Sequence, residues 1–194
     1  MAGRGEAFAL WLIPGGSLRE RLRELIASLA RETGGPAFAP HVTLLGGLRG
    51  EGAALAAQLG RLGAALRPVE LRLRGPATGS TRHQCVFLDV APAEPLAALR
   101  GAAAAVFGGD DTAFRPHVSL VYGDLLSEHR RALAADPRVA ALGQEVGWAE
   151  RIELWSVEGE ADRWRCAGGV ALPAGALSAC GATCVCPCPC PSAR

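Results

Sequence analysis

Apolar residues recur along this chain with two periods. Residues 8–13 form an unbroken apolar run closed by Pro14-Gly15-Gly16, which predicts a buried strand. Leu18, Leu22, Leu25, Ile26 and Leu29 then fall at helical spacing. Ser17 and Glu20 stand where a capping box would open that helix, and Gly34-Gly35 closes it. Residues 40–45 predict a second strand. Leu55, Leu59, Leu62 and Leu66 mark a second helix stopped by Pro68, and residues 69–74 alternate strictly, as a half-exposed strand does. A turn-rich stretch, 75–84, leads into an apolar strand over 85–90. Leu96, Leu99, Ala103, Val106 and Phe107 predict a third helix ending at Gly108-Gly109, followed by a strand over 116–122. Ser127 is placed to cap a further helix that Pro137 interrupts, with one exposed turn resuming after it. Residues 151–157 and 162–171 read as a closing hairpin. The strands are short and alternating rather than long Val/Ile blocks. That pattern favours an α+β protein with antiparallel sheets over a doubly wound parallel one.

Composition narrows the picture. At 194 residues the chain suits one domain or two small lobes sharing a core. Its 20 basic and 19 acidic groups nearly cancel, which excludes a partner held mainly by phosphate-backbone electrostatics: no long nucleic acid and no membrane surface are expected. Every basic residue is arginine, so no lysine nucleophile or Schiff base is available. No apolar stretch approaches the roughly 20 residues of a membrane span. The apolar run after Arg4 reads as a buried strand rather than a signal peptide, because Pro-Gly-Gly and a charged helix follow it at once. Cys85 and Cys166 sit alone in the body of the chain. Cys180, Cys184, Cys186, Cys188 and Cys190 crowd its end with spacings that fit no zinc site. A folded unit over 1–172, a Cys/Pro-rich disordered tail over 173–194, and a reducing, cytoplasmic location are therefore expected. Removing the tail is expected to leave activity intact.

The strongest signal is an internal echo. Phe38-Ala39-Pro40-His41-Val42-Thr43-Leu44 returns as Phe114-Arg115-Pro116-His117-Val118-Ser119-Leu120, and each copy follows a helix ending in Gly-Gly. The halves read as two versions of one helix–strand unit related by a pseudo-two-fold axis. Period 2 puts His41 and Thr43 on one face of their strand, and His117 and Ser119 on one face of theirs, with Val and Leu opposite. With the apolar members turned to the helices, both His–hydroxyl pairs face a shared cleft.

Two imidazoles across a phosphorus can activate an attacking oxygen and protonate a departing one, and the two hydroxyls can donate to the non-bridging oxygens. Such chemistry needs no metal and no cofactor. A lone strand histidine is ordinarily a hydrogen-bonded structural residue. Two in matching seven-residue contexts are not explained by packing, since Val and Leu already fill the apolar positions.

These motifs resemble the two-histidine phosphoesterase superfamily, and more closely its plant-type cyclic nucleotide phosphodiesterases, the tRNA-splicing branch. The likeness extends over most of residues 7–170. It includes the Ala-Leu-Trp-Leu-Ile-Pro strand, Gly34-Gly35-Pro36, both histidine motifs, Ala77-Thr78-Gly79, the Gln84-Cys85-Val86-Phe87-Leu88 run and Val121-Tyr122. The resemblance implies a bilobal α+β fold: two pseudo-symmetric lobes, each an antiparallel sheet packed by helices, with a cleft between them. The implied reaction is hydrolysis of ADP-ribose 1″,2″-cyclic phosphate to the 1″-phosphate, and of nucleoside 2′,3′-cyclic phosphates to 2′-phosphates. By position, His41 and His117 become the acid–base pair and Thr43 and Ser119 the phosphate donors. Trp11 and Tyr122 become aromatics flanking the cleft. The implied partner is a small nucleotide cyclic phosphate, and a monomer is expected. His83 and His129 have no motif partner and read as exposed loop or helix residues; Arg49 and Arg115 read as surface residues beside the motifs. An RNA-end-processing enzyme and a nucleotide-binding module without catalysis are the rival readings.

Overall fold

The computed structural model describes residues 5–108 and 114–173; all of the expected tail except Pro173 lies outside them. Strand β1 (Glu6–Pro14) leads into helix α1 (Gly16–Thr33), strand β2 (Val42–Gly50) and helix α2 (Gly52–Gln58). The predicted second helix does not continue as an α-helix. It tightens into a 3-10 segment, Leu59–Ala65, where Gly60 and Gly63 weaken the α form. Then come β3 (Glu70–Thr78), β4 (Val86–Val90), α3 (Glu94–Phe107), β5 (His117–Val121), α4 (Ser127–Ala134), α5 (Pro137–Leu142), β6 (Val146–Ser156) and β7 (Arg165–Ala171).

Two predicted caps are not formed. Helix α1 starts from Gly15, with no side-chain cap bond, because the Gly15 amide donates to the Trp148 carbonyl at 2.8 Å and sets the entry two residues before Ser17. Ser127 falls inside α4, whose N-cap is Leu126. Asp136 does cap its helix: its carboxylate accepts from the Arg138 amide at 2.7 Å, with Pro137 at the first helical position. At the other end of α1, Gly34 takes the left-handed conformation (φ 68°), and a Cβ on Gly35 would stand 2.9 Å from the Tyr122 carbonyl oxygen.

The strands run β1-β2-β5-β4-β3-β6-β7, all pairs antiparallel, and β1 also pairs with β6, so the sheet closes into a barrel. The closure is uneven. On one side of β6, Val146–Trp148 meet β3 and the residues from Arg151 onward meet β7. Between β2 and β5 the register holds one pair, Val42 with Val118. Two antiparallel halves, β7-β6-β1-β2 and β3-β4-β5, thus meet at narrow seams, as the bilobal expectation required. The echo in sequence corresponds to β1–α1–β2 and β4–α3–β5, and the helices are exchanged between them: α1 packs on β5 as well as β6, and α3 packs on β2.

One continuous apolar core links the halves through Leu10, Leu12, Leu22, Ile26, Val42, Leu44, Leu88, Val118, Leu120 and Ile152. Burying each such side chain stabilises the fold by about 1.5–3 kcal/mol before chain entropy is set against it. A second, smaller cluster of Ala9, Trp11 and Ile13, packed by Trp155 and Trp164, lies on the opposite face of β1. Cys85 is buried and Cys166 is exposed on β7, both as free thiols. Among the described residues no helix is long and apolar enough to cross a membrane.

Candidate active site

The Val42–Val118 pair is the local two-fold. Antiparallel register around it sets Thr43 across from His117 and His41 across from Ser119, all four on the face away from the core. Each histidine is held the same way. His41 Nδ1 lies 2.7 Å from the carbonyl oxygen of Ala39, and His117 Nδ1 lies 2.8 Å from that of Arg115. A carbonyl oxygen only accepts, so Nδ1 carries the proton in both rings, and both Nε2 atoms are left for chemistry.

The surroundings break the symmetry. His41 is 4% exposed, whereas His117 is half-buried. Trp11 stacks on His41 with centroids 3.6 Å apart, Phe38 meets it edge-on, and the Tyr122 hydroxyl stands 3.5 Å from its Nε2. Burial drives the His41 pKa down to about 4, and the nearby charge of His117 pushes in the same direction. His41 is therefore a neutral imidazole near pH 7. Burial also pushes the Tyr122 phenol well above its ordinary value, so that hydroxyl remains a donor. The two matching motifs thus hold one buried ring and one half-buried ring.

The hydroxyls differ as well. Ser119 Oγ donates to the His83 carbonyl at 3.1 Å, so it must swing to reach a phosphoryl oxygen. Thr43 is half-buried and lines a cavity of about 350 Å³ together with His117. Trp11 and Tyr122 are 2% and 5% exposed. Trp11 touches His41 and Trp155 (4.6 Å), and Tyr122 stacks on Phe38 (3.8 Å). Neither presents an open face to a base: the tryptophans and Phe38 that cover them lie far off along the chain. His83, expected as an unattached loop residue, is exposed but sits at the rim, 5.1 Å from the Tyr122 ring and 5.8 Å from the Trp164 ring. His129 is exposed on α4. Arg49 leaves the site to meet Glu158 and the Gly5 carbonyl.

Several residues went unnoticed in the sequence. Phe38, Trp155 and Trp164 wall the His41 side. Asp89, opposite His117 in the β4–β5 register, grips Arg115 with two hydrogen bonds of 2.9 and 2.8 Å. Glu153 accepts from Trp155 Nε1 at 2.9 Å and from Arg151 Nε at 3.1 Å, and so fixes the Trp155 indole. Glu153 and Trp155 are two residues apart in an alternating strand, a signal that period 2 could have supplied.

Residues 12–160 match the family described as the 2′-5′ RNA ligase superfamily. Solved structures share the fold. A Thermus thermophilus protein, TT0787, is 22% identical, with 86% of this chain and 97% of that one aligned at a TM-score of 0.59. A structure described as a phosphoesterase is 20% identical over 86% and 98% of the two chains, at 0.58. Escherichia coli LigT in complex with 3′-AMP is 15% identical over 86% and 98%, also at 0.58. Among curated proteins none matches the chain.

Proposed function

Since the chain belongs to the 2′-5′ RNA ligase superfamily, the two-histidine phosphoesterases, we propose that it hydrolyses cyclic phosphate esters of small nucleotides. In this reading ADP-ribose 1″,2″-cyclic phosphate opens to the 1″-phosphate, and nucleoside 2′,3′-cyclic phosphates open to 2′-phosphates, as in the plant-type cyclic phosphodiesterases. The observation that carries the reading is the matched pair of Nδ1–H bonds to the carbonyls of Ala39 and Arg115, which fixes both rings alike around one two-fold and turns their Nε2 atoms away from those carbonyls.

His41, neutral at pH 7, takes the proton of a water molecule as the water oxygen bonds to phosphorus. His117, entering as the imidazolium, gives its proton to the ester oxygen as the P–O bond of the ring breaks. One water is consumed, one phosphomonoester is formed, and the two histidines exchange protonation states before the next turnover. Thr43 and Ser119 donate to the non-bridging oxygens, where negative charge grows. Trp11 fixes the plane of the His41 ring, and the Tyr122 hydroxyl, 3.5 Å from Nε2, gives up that lone pair to the proton of the water.

The family description favours a second reading, in which the cyclic phosphate ends an RNA strand. Three substrates offered side by side test both: ADP-ribose 1″,2″-cyclic phosphate, 2′,3′-cyclic AMP, and an oligonucleotide ending in a cyclic phosphate. Opening of the first two to a 1″- and a 2′-phosphate supports the first reading. Turnover of the oligonucleotide alone replaces it with the second.

A further inference from the structure

Arg151, Glu153 and Trp155 alternate along β6 with the buried Ile152 and Leu154, so the three side chains share the face turned away from the main core. Arg151 Nε donates to Glu153 Oε1 at 3.1 Å, and Trp155 Nε1 donates to Glu153 Oε2 at 2.9 Å. We propose that Glu153 is a positioning residue for His41, acting through the indoles of Trp155 and Trp11. The inference rests on the function proposed above, in which His41 takes the proton of the attacking water.

The contacts run without a break from the carboxylate to the imidazole. Trp155 stacks on Trp11 with centroids 4.6 Å apart, and Trp11 lies flat on His41 at 3.6 Å. Glu153 faces Trp11 in the β1–β6 register, so Trp155, two residues on, reaches Trp11 along the diagonal. Ala39, whose carbonyl accepts the Nδ1 proton of His41, packs against the same aromatic cluster. Stacked rings slide past one another at little cost in buried area, whereas a directional bond at the indole edge stops the slide. Burial of an indole does not itself call for a carboxylate at that edge. Glu153 supplies the bond from a side chain only 12% exposed, where a charge-assisted hydrogen bond is strong. Its carboxylate cannot turn away, because Arg151 engages the other oxygen. Gly169, opposite Glu153 on β7, leaves room for the pair: a Cβ there would stand 2.9 Å from Arg151 Nη2 and 3.0 Å from Glu153 Cγ.

The test measures kcat and KM for 2′,3′-cyclic AMP in the wild-type protein, Glu153→Leu, Glu153→Gln, Trp155→Phe and the double variant of Glu153→Leu with Trp155→Phe. Glu153→Leu should lower kcat by about fivefold and leave KM within about twofold, because a loosened proton acceptor weakens the transition state rather than binding. Glu153→Gln, which keeps a carbonyl oxygen for the indole, should fall between that variant and the wild type. Trp155→Phe keeps a ring on Trp11 but removes the N–H. Adding Glu153→Leu to it should lower kcat no further, since both changes break the same bond. A wild-type kcat in Glu153→Leu, a loss confined to KM, a Glu153→Gln loss as large as that of Glu153→Leu, or losses that multiply in the double variant each overturn the inference, while ring opening goes on and the function stands. Absence of ring opening in the wild-type protein overturns the proposed function, and the inference with it. Should Glu153→Leu fail to fold, Trp155→Phe decides: a lower kcat at unchanged KM supports the inference, and a wild-type kcat overturns it.

Discussion

The indole of Trp11 lies flat against the imidazole of His41, centroids 3.6 Å apart and planes 8° from parallel. Trp11 pairs with Thr43 in the β1–β2 register and with Glu153 in the β1–β6 register, so it stands between the first histidine motif and the aromatic wall of β6. The contact converts a strand tryptophan into the support of a neighbouring ring, and it accounts for much of the burial that keeps His41 neutral.

Replacing Trp11 should therefore act on kcat rather than on KM. Trp11→Ala opens a cavity in the small cluster and should cost about 3–5 kcal/mol of stability, read from urea unfolding. It should also lower kcat by about tenfold, with KM nearly unchanged, because a misplaced proton acceptor weakens the transition state and not the ground state. A KM effect without a kcat effect would make Trp11 a base platform instead.

The two histidines should separate in stability but not in activity. His117→Ala and His41→Ala should each reduce turnover by about 100-fold or more. His117 is half-buried and, among the described residues, hydrogen-bonds a backbone carbonyl and tilts beside Phe87, so its loss should leave the melting temperature within about a degree of wild type. His41→Ala leaves a hole beneath Trp11 and should melt several degrees lower. Wild-type turnover in either variant would remove that residue from the mechanism.

Stability should fall in mild acid because of His41. Its pKa drops from the ordinary 6.5 to about 4 on folding, so between those values the unfolded chain binds a proton that the folded chain refuses. The stabilisation is complete above about pH 6.5 and disappears as the pH falls to 4, a loss of about 3 kcal/mol. Arg138 holds the Glu32 and Asp136 carboxyls below their ordinary values, and these groups add a loss at lower pH. Denaturant unfolding of wild type against His41→Phe across this range isolates the histidine: the variant should lack the upper part of the decline.

Tyr122→Phe keeps the stack on Phe38 and removes the hydroxyl 3.5 Å from His41 Nε2. A long hydrogen bond is worth little, so kcat should fall only a few-fold, about 1 kcal/mol in activation free energy. Ultraviolet titration should show the Tyr122 phenol still protonated beyond pH 10, the ordinary tyrosine value.

Turnover should survive EDTA unchanged, since the proton transfers and the charge stabilisation come from side chains. A rate restored only by added divalent metal would displace the two-histidine mechanism.

The echo was legible because it is local: seven residues, twice, on strands whose period 2 sorts faces without reference to anything else. The helix ends at Gly34 and Gly108 were legible for the same reason. What the chain did not disclose depends on register between distant strands. Asp89 reaches Arg115 only because β4 lies beside β5. Trp155 reaches Trp11 only because β6 lies beside β1. The capping box at Ser17 failed when a backbone bond from Gly15 to the distant Trp148 set the start of the helix instead. The unequal burial of His41 and His117 was hidden because their immediate contexts match. One ring lies flat beneath the indole of Trp11, whereas the other is tilted beside Phe87.

Helices α1 and α3 each cover a strand belonging to the opposite repeat. A polypeptide ending after the first repeat would carry β2 without its lid and α1 without its seat. Neither repeat is thus a foldable module by itself, and the pair should unfold in one cooperative step.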